Sequence, residues 1–279
     1  MHILRRKIYF LLQGAINRFY LARTSQLPPP SVERALVLFT ITFNSPLVIE
    51  LQAQLLKRFC NDDYTQIVCD NSTDAVHRNS IRSICSRYDI QFIALPPNPW
   101  TGIHPSMSHG LALNWLVRHV APLFPAHTYG FLDHDIFPIQ EFSIIETLGT
   151  HSFYGIPQVR KHLFYLWPGL LFIEGRILRE TTLNFCPNRH GDTGVELHKI
   201  IKKCRNETLL ASHTDILDES RTQYGMQRPL CTKHDDVWIH IGNASGWRPK
   251  DISDLSTLEL VRCQSNLPLL DAPISKIKC

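Results

Sequence analysis

The chain has 279 residues, 44% hydrophobic and 19% charged, with a net charge of +4. That length buries a sizeable core, and the composition is globular, without low-complexity tracts or internal repeats. So small a basic excess, scattered and without interleaved aromatics, excludes a nucleic-acid partner. The eight cysteines (Cys60, Cys69, Cys85, Cys186, Cys204, Cys231, Cys263 and Cys279) contain no CxxC pair, which excludes zinc ribbons and thioredoxin-like motifs. Several sit in apolar runs, where a free thiol acts as a small hydrophobe; a reducing cytoplasm is the expected location.

The segment MHILRRKIYFLLQGAINRFYLAR opens the chain. Its apolar run is too short to span a bilayer, and Arg18 and Arg23 argue against a signal peptide. It is expected to be an amphipathic helix packed on the domain, with a peripheral seat on the inner face of the membrane as the alternative. LPPPS then breaks the helix, so 1–30 reads as helix and linker and 31–279 as a single domain.

From there, apolar runs and helical periodicities alternate. RALVLFTITFN reads as a strand buried on both faces. SPLVIELQAQLLKRF follows as a helix, with Ser45 as N-cap and Pro46 in first position. YTQIVCDNSTD is a strand running into a polar turn, AVHRNSIRSICSRY a helix and IQFIALPP a strand. HPSMSHGLALNWLVRHVAPLF is a third helix and TYGFLDHDIFPI a fourth strand. This alternation predicts an α/β protein with a Rossmann-like, mostly parallel sheet flanked by helices. Ligands of such sheets bind at the carboxyl ends of the strands. Three polar stretches fall there: Thr42 to Asn44, Asp70 to Asp74 and Asp133 to Asp135. Beyond Pro138, HSFYGIPQV, FYLWPGLLFIEG and DVWIHIGNASGW read as strands extending the same sheet, and GVELHKIIKKC as a helix.

Asp133 and Asp135 are the chemically informative pair. In an extended chain, residues i and i+2 share a face, which would bring the two carboxylates together and turn His134 away. Two such anions repel and are costly to bury unpaired. A divalent cation relieves both problems, and oxygen ligands suit Mg²⁺ or Mn²⁺. A solvated turn is the plainer alternative.

The ordered set FTITFN, VCDNSTD, GLALNW and FLDHDIFP resembles the GT-A-fold glycosyltransferases, especially their family 2-like group, over about Leu36 to Pro138. The resemblance implies a nucleotide-binding half (31–140) and an acceptor-binding half (141–279). It also implies transfer of a sugar from a nucleotide-sugar donor, a UDP-sugar foremost, to a glycan, lipid-linked or protein acceptor. By the same resemblance Thr42, Phe43 and Asn44 would pack against the nucleotide and Asp70 would accept a hydrogen bond from its base. An Asx-turn at Asp70 or Asn71 is the competing reading. Asp135 would be the main metal ligand, Asp133 would contact ribose or metal, and His240 would complete the metal site. Asp192, in GDTG, would be the general base of an inverting reaction, or else a helix cap. Ser108 and His109 stand where the family often has a basic residue facing the phosphates. Gly242, Asn243 and Ser245 could form a loop over the diphosphate. Trp167 and Gly169 suit an acceptor sugar, or the core.

Two rivals remain. DxD is also the nucleophile motif of haloacid-dehalogenase-like phosphatases, but Phe137 stands where those carry Thr or Val, and three βα units precede the motif. A catalytically silent nucleotide-sugar-binding protein is the other.

Overall fold

A computed structural model of the protein describes residues 2–223 and 226–241, with 258, 261–262 and 264–265 beyond them. The first half alternates as expected: α1 (His2–Leu21), β1 (Arg34–Thr42), α2 (Pro46–Phe59), β2 (Tyr64–Asp70), α3 (Ala75–Arg87), β3 (Gln91–Ala94), α4 (Pro105–His119) and β4 (Ala126–Asp133). Then come β5 (Ile136–Pro138), α5 (Ile144–Leu148), β6 (Phe153–Arg160), β7 (Leu163–Glu174) and α6 (Gly175–Glu180). The rest comprises α7 (His198–Ile201), β8 (Thr208–Leu210), β9 (Thr214–Gln223), β10 (Met226–His234) and β11 (Trp238–His240).

A seven-stranded sheet with order β3-β2-β1-β4-β7-β6-β8 forms the centre. It is mostly parallel, and only β7 runs antiparallel to its two neighbours, β4 and β6. β1 lies at its heart, and its alternate residues serve two cores. Val37, Phe39 and Ile41 pack with Leu111, Trp115 and Leu116 of α4. Leu36 and Leu38 pack with Leu51, Leu55 and Leu56 of α2. A strand buried on both faces has no polar alternation, which is why β1 reads as one apolar run.

Local chemistry sets the helix ends. Asp74 caps α3, its Oδ1 accepting from the Val76 N–H at 2.7 Å and the His77 N–H at 3.2 Å. Such a cap stabilises a helix by about 1 kcal/mol. Pro46 and Pro105 occupy the first turns of α2 and α4, where no amide donor is needed. The last turn of α1 packs on the domain: Tyr20 is buried in the α4 core. Asn17 Oδ1 also accepts from Trp100 Nε1 at 2.7 Å. Leu12, Ile16 and Phe19 on the same helix are exposed. No described helix is long and apolar enough to cross a membrane.

The second half departs from the expected extension of one sheet. β6, β7 and β8 do extend the central sheet, but β5, β11, β10 and β9 form a separate four-stranded one. GVELHKIIKKC forms a 3₁₀ turn, Val195–Leu197, and a single α-helical turn in place of a full helix.

Candidate active site

The parallel ladders put three polar strand ends level. Thr42 pairs in register with Asp70, and Ile41 with Asp133. β2 lies on one side of β1 and β4 on the other, so the crevice beside β1 is the switch point of the sheet, where ligands of α/β folds bind.

Asp133 ends β4, and His134–Asp135 form a turn into β5. The expected extended geometry across Asp133, His134 and Asp135 is therefore corrected. The apolar run FLDHDIFPI is two strands of two different sheets, and the acidic turn is the junction where the chain leaves one for the other. Gln52, fully buried on α2, pins that turn. Its Nε2 donates to the carbonyls of Asp133 (2.8 Å) and Ile136 (2.9 Å), while its Oε1 accepts from Thr40 Oγ1 at 3.0 Å. His134 is buried with Nδ1 3.2 Å from the Ile41 carbonyl, and its Nε2 has no partner among the described residues.

Antiparallel pairing of β5 with β11 then delivers His240 opposite Ile136. The Ile241 N–H donates to the Asp135 carbonyl at 3.1 Å, and His240 Nε2 lies 3.6 Å from Asp135 Oδ1. On the other side, His109 of α4 places Nε2 3.2 Å from Asp133 Oδ1. Burial pushes the Asp133 carboxyl up to about 7, with Asp135 adding to it. Burial also pushes His109 down to about 4, against the pull of Asp135 and Asp192. Near neutral pH their contact is a shared hydrogen bond more than a full ion pair. The pocket holds more negative charge than its burial tolerates.

Asp192 approaches from the GDTG loop. Gly194 has φ +87°, and a Cβ there would meet Pro168 Cδ at 2.6 Å, so the loop lies flat against β7. Gly194 N–H donates to the Phe185 carbonyl (2.8 Å), and Thr193 Oγ1 to the Ser106 carbonyl (3.0 Å), which ties the loop to the start of α4. The exposed Asp192 accepts from the Thr193 N–H on Oδ1 at 2.8 Å. Its carbonyl accepts from Val195, as a turn-capping residue's would. Asp192, His240 and Trp167 line one cavity of about 320 Å³.

The nucleotide-side residues have partners of their own. Asn44, at φ +48°, accepts on Oδ1 from the Thr73 and Asp74 N–H groups, both at 3.2 Å. Phe43 is half-buried, and Thr42 is buried with Oγ1 unpartnered among the described residues. Asp70 has 0% exposure. Its Oδ1 takes the Ser72 N–H at 3.2 Å, an Asx-turn contact, and the Ser72 hydroxyl at 2.5 Å. Its Oδ2 takes Arg78 Nε at 2.6 Å. A ligand reaching this strand end meets Arg78 before Asp70. Ser108 is buried, with Oγ accepting from Asn71 Nδ2 at 3.0 Å. The expected loop at Gly242, Asn243 and Ser245 lies outside the described residues.

A divalent cation fits this donor set by chemistry: a half-buried and a buried carboxylate close together, with an imidazole nitrogen beside each. Among the described residues no three of these side chains converge as a ready-made metal cluster. Gln52 and Arg78 went unnoticed in the sequence. Gln52 carried a signal, since it falls three positions from both Ile49 and Leu55 on the apolar face of α2, where an uncharged polar residue needs an internal partner.

No protein-family model matches the chain, and no curated protein does. Among solved structures it is similar to a mannosyltransferase from Pyrobaculum calidifontis in complex with GDP-Man and Mn²⁺. The identity is 12% and the TM-score 0.46, over 72% of this chain and 61% of that one, so the chain spans less than two thirds of that protein. It is also similar to glucosyl-3-phosphoglycerate synthase from Mycobacterium tuberculosis, at 12% identity and TM-score 0.44, over 84% and 81% of the two chains. A third is the mannosyltransferase Ktr4p from S. cerevisiae, at 9% identity and TM-score 0.36, over 63% and 67%. What this chain does has to be sought in its own side chains.

Proposed function

We propose that the protein is a GT-A-type glycosyltransferase, moving a sugar from a nucleotide-sugar donor to an acceptor hydroxyl with inversion. The observation that carries this reading is the His240 to Asp135 approach of 3.6 Å beside Asp133 at the carboxyl edge of the sheet, with Asp192 and His240 lining one cavity. There the carboxyl of Asp133 is raised by burial and by Asp135. Asp135 and His240, with Asp133 beside them, would hold Mn²⁺ or Mg²⁺. Such an ion supplies charge neutralisation for a diphosphate leaving group. Thr42, Phe43, Asn44 and Arg78 would bind the nucleoside. His109 would orient Asp133 through their 3.2 Å contact.

Asp192 is the general base in this reading. It takes the proton of the acceptor hydroxyl as that oxygen bonds to the anomeric carbon and the bond from that carbon to the diphosphate breaks. Its Oδ2 has no hydrogen-bond partner among the described residues and is free to do so. Asp192→Asn keeps the Thr193 contact and removes the base, so turnover should fall by roughly 10²- to 10⁴-fold with donor affinity unchanged. Turnover within a few-fold of the parent would remove Asp192 from this role. Proton NMR of the anomeric signal reads the configuration directly, and retention would overturn the inverting course. A phosphatase would need Asp133 as the attacking nucleophile, whereas His109 Nε2 stands 3.2 Å from its Oδ1.

A further inference from the structure

The cavity beside Asp192 has a shape and lining that bear on the acceptor. At about 320 Å³ it stands at the lower end of the roughly 300–1,000 Å³ range of small-ligand sites, room for a ring or two. One wall is aromatic. Trp167 leans on the His240 ring at a centroid distance of 4.8 Å and an angle of 45°. Its ring covers Gly169, whose missing side chain is what lets it lie there. Tyr165 stands behind, its hydroxyl against the Asp192 backbone and Arg160. The same cavity is lined by acceptors and donors together: Asp192, Asp215, Gln158 and Thr232, with Arg160, His213 and His234. Asp215 is held by Thr232 Oγ1 at 3.2 Å.

An aromatic ring in a cavity lined by both hydrogen-bond acceptors and donors suits a ligand with one C–H face and an edge of hydroxyls, which accept and donate. A hydrocarbon chain would desolvate both carboxylates without giving them a partner. A serine or threonine side chain would leave the aromatic wall uncovered. We infer that the acceptor is a saccharide, whatever carries it, with a pyranose ring stacked on Trp167 and a ring hydroxyl presented to Asp192. Asp215 and Gln158 would read the remaining hydroxyls. This assignment rests on the glycosyltransferase reading above and names its acceptor class.

The test is saturation-transfer NMR on the full chain with diamagnetic Mg²⁺ and UDP or GDP. The probes are methyl glycosides of glucose, galactose, mannose and N-acetylglucosamine, with a serine peptide and a short polyprenyl phosphate alongside. The expected result is transfer to ring protons of at least one glycoside, concentrated on one face. Trp167→Ala should weaken that binding about tenfold or more and Trp167→Phe less, with near-ultraviolet dichroism checking that each variant is folded. Asp215→Asn tests the polar rim and should also weaken it. Transfer to the peptide or polyprenyl phosphate alone, or glycoside binding indifferent to both Trp167 and Asp215, overturns the inference. The two readings fail separately. Absence of nucleotide-sugar turnover strikes the transferase assignment, whereas glycoside contact is read on the glycoside itself.

Discussion

At the residue scale, the site is held by side chains that do no chemistry. Gln52 makes four hydrogen bonds inside the protein, two of them to the carbonyls flanking the acidic turn. Replacing it with Leu leaves those carbonyls and the Thr40 hydroxyl buried without partners, each costing about 1–3 kcal/mol. Gln52→Leu should therefore lower the melting temperature and also weaken Mn²⁺-dependent nucleotide binding. A variant that melts lower but binds as before would show that the clamp is structural only. His234, which lines the same cavity as Asp192 and His240, gives a pH handle. Burial pushes it down to about 4, with His240 and His213 adding, while the Ser212 carbonyl opposes. An unfolded histidine titrates near 6.5, so between these values the unfolded chain binds more protons and stability rises with pH. The contribution is complete above about 6.5 and lost as pH falls towards 4, at most about 3 kcal/mol. His234→Gln should flatten the acid limb of melting temperature against pH, and an unchanged limb would assign that loss to other groups.

At the scale of elements, the acidic turn owes its place to a change of sheet. β4 belongs to the central sheet and β5 to the four-stranded one. Both flanks of the DHD turn are therefore apolar, and hydropathy alone cannot locate the break. The same pairing of β5 with β11 explains why a histidine over a hundred residues later comes to lie beside Asp135. β7 makes the complementary adjustment. Its register against β6 shifts between Gly155 and Ile156, so that Leu171 and Trp167 face consecutive residues and Pro168 to Leu170 bulge out. The bulge sets Trp167 over the cavity and seats the GDTG loop on Pro168. A Cβ at Gly169 would overlap the Trp167 ring. Gly169→Ala should thus cost about 1–3 kcal/mol and change the tryptophan emission as Trp167 leaves His240. Unaltered emission would show that the ring tolerates the methyl group.

At the scale of the whole molecule, the legible part of the fold was the part with strong periodicity. Four apolar strands and three helices of 13 to 15 residues between them place Thr42, Asp70 and Asp133 at one sheet edge from the sequence pattern alone. The four-stranded sheet was not legible. β5 and β11 are three residues each, and β9, TDILDESRTQ, is polar and without alternation. DVWIHIG does read as a strand and β5 lies inside the apolar run of β4, but their grouping with β9 and β10 into a second sheet comes from pairing with each other, which no local pattern encodes. The Asp70–Arg78 contact was hidden for a related reason, since a carboxylate at a strand end looks the same whether it faces a ligand or an arginine eight residues on.

The central claim is that this edge binds a nucleotide sugar through a divalent cation, and thermal shift measures it most directly. UDP- and GDP-sugars with Mn²⁺ should raise the melting temperature, the stabilisation growing with the logarithm of ligand concentration over Kd. The shift should vanish on chelation and in Asp135→Ala. Stabilisation that survives both, or release of phosphate from a simple phosphomonoester with no response to any nucleotide sugar, would contradict it.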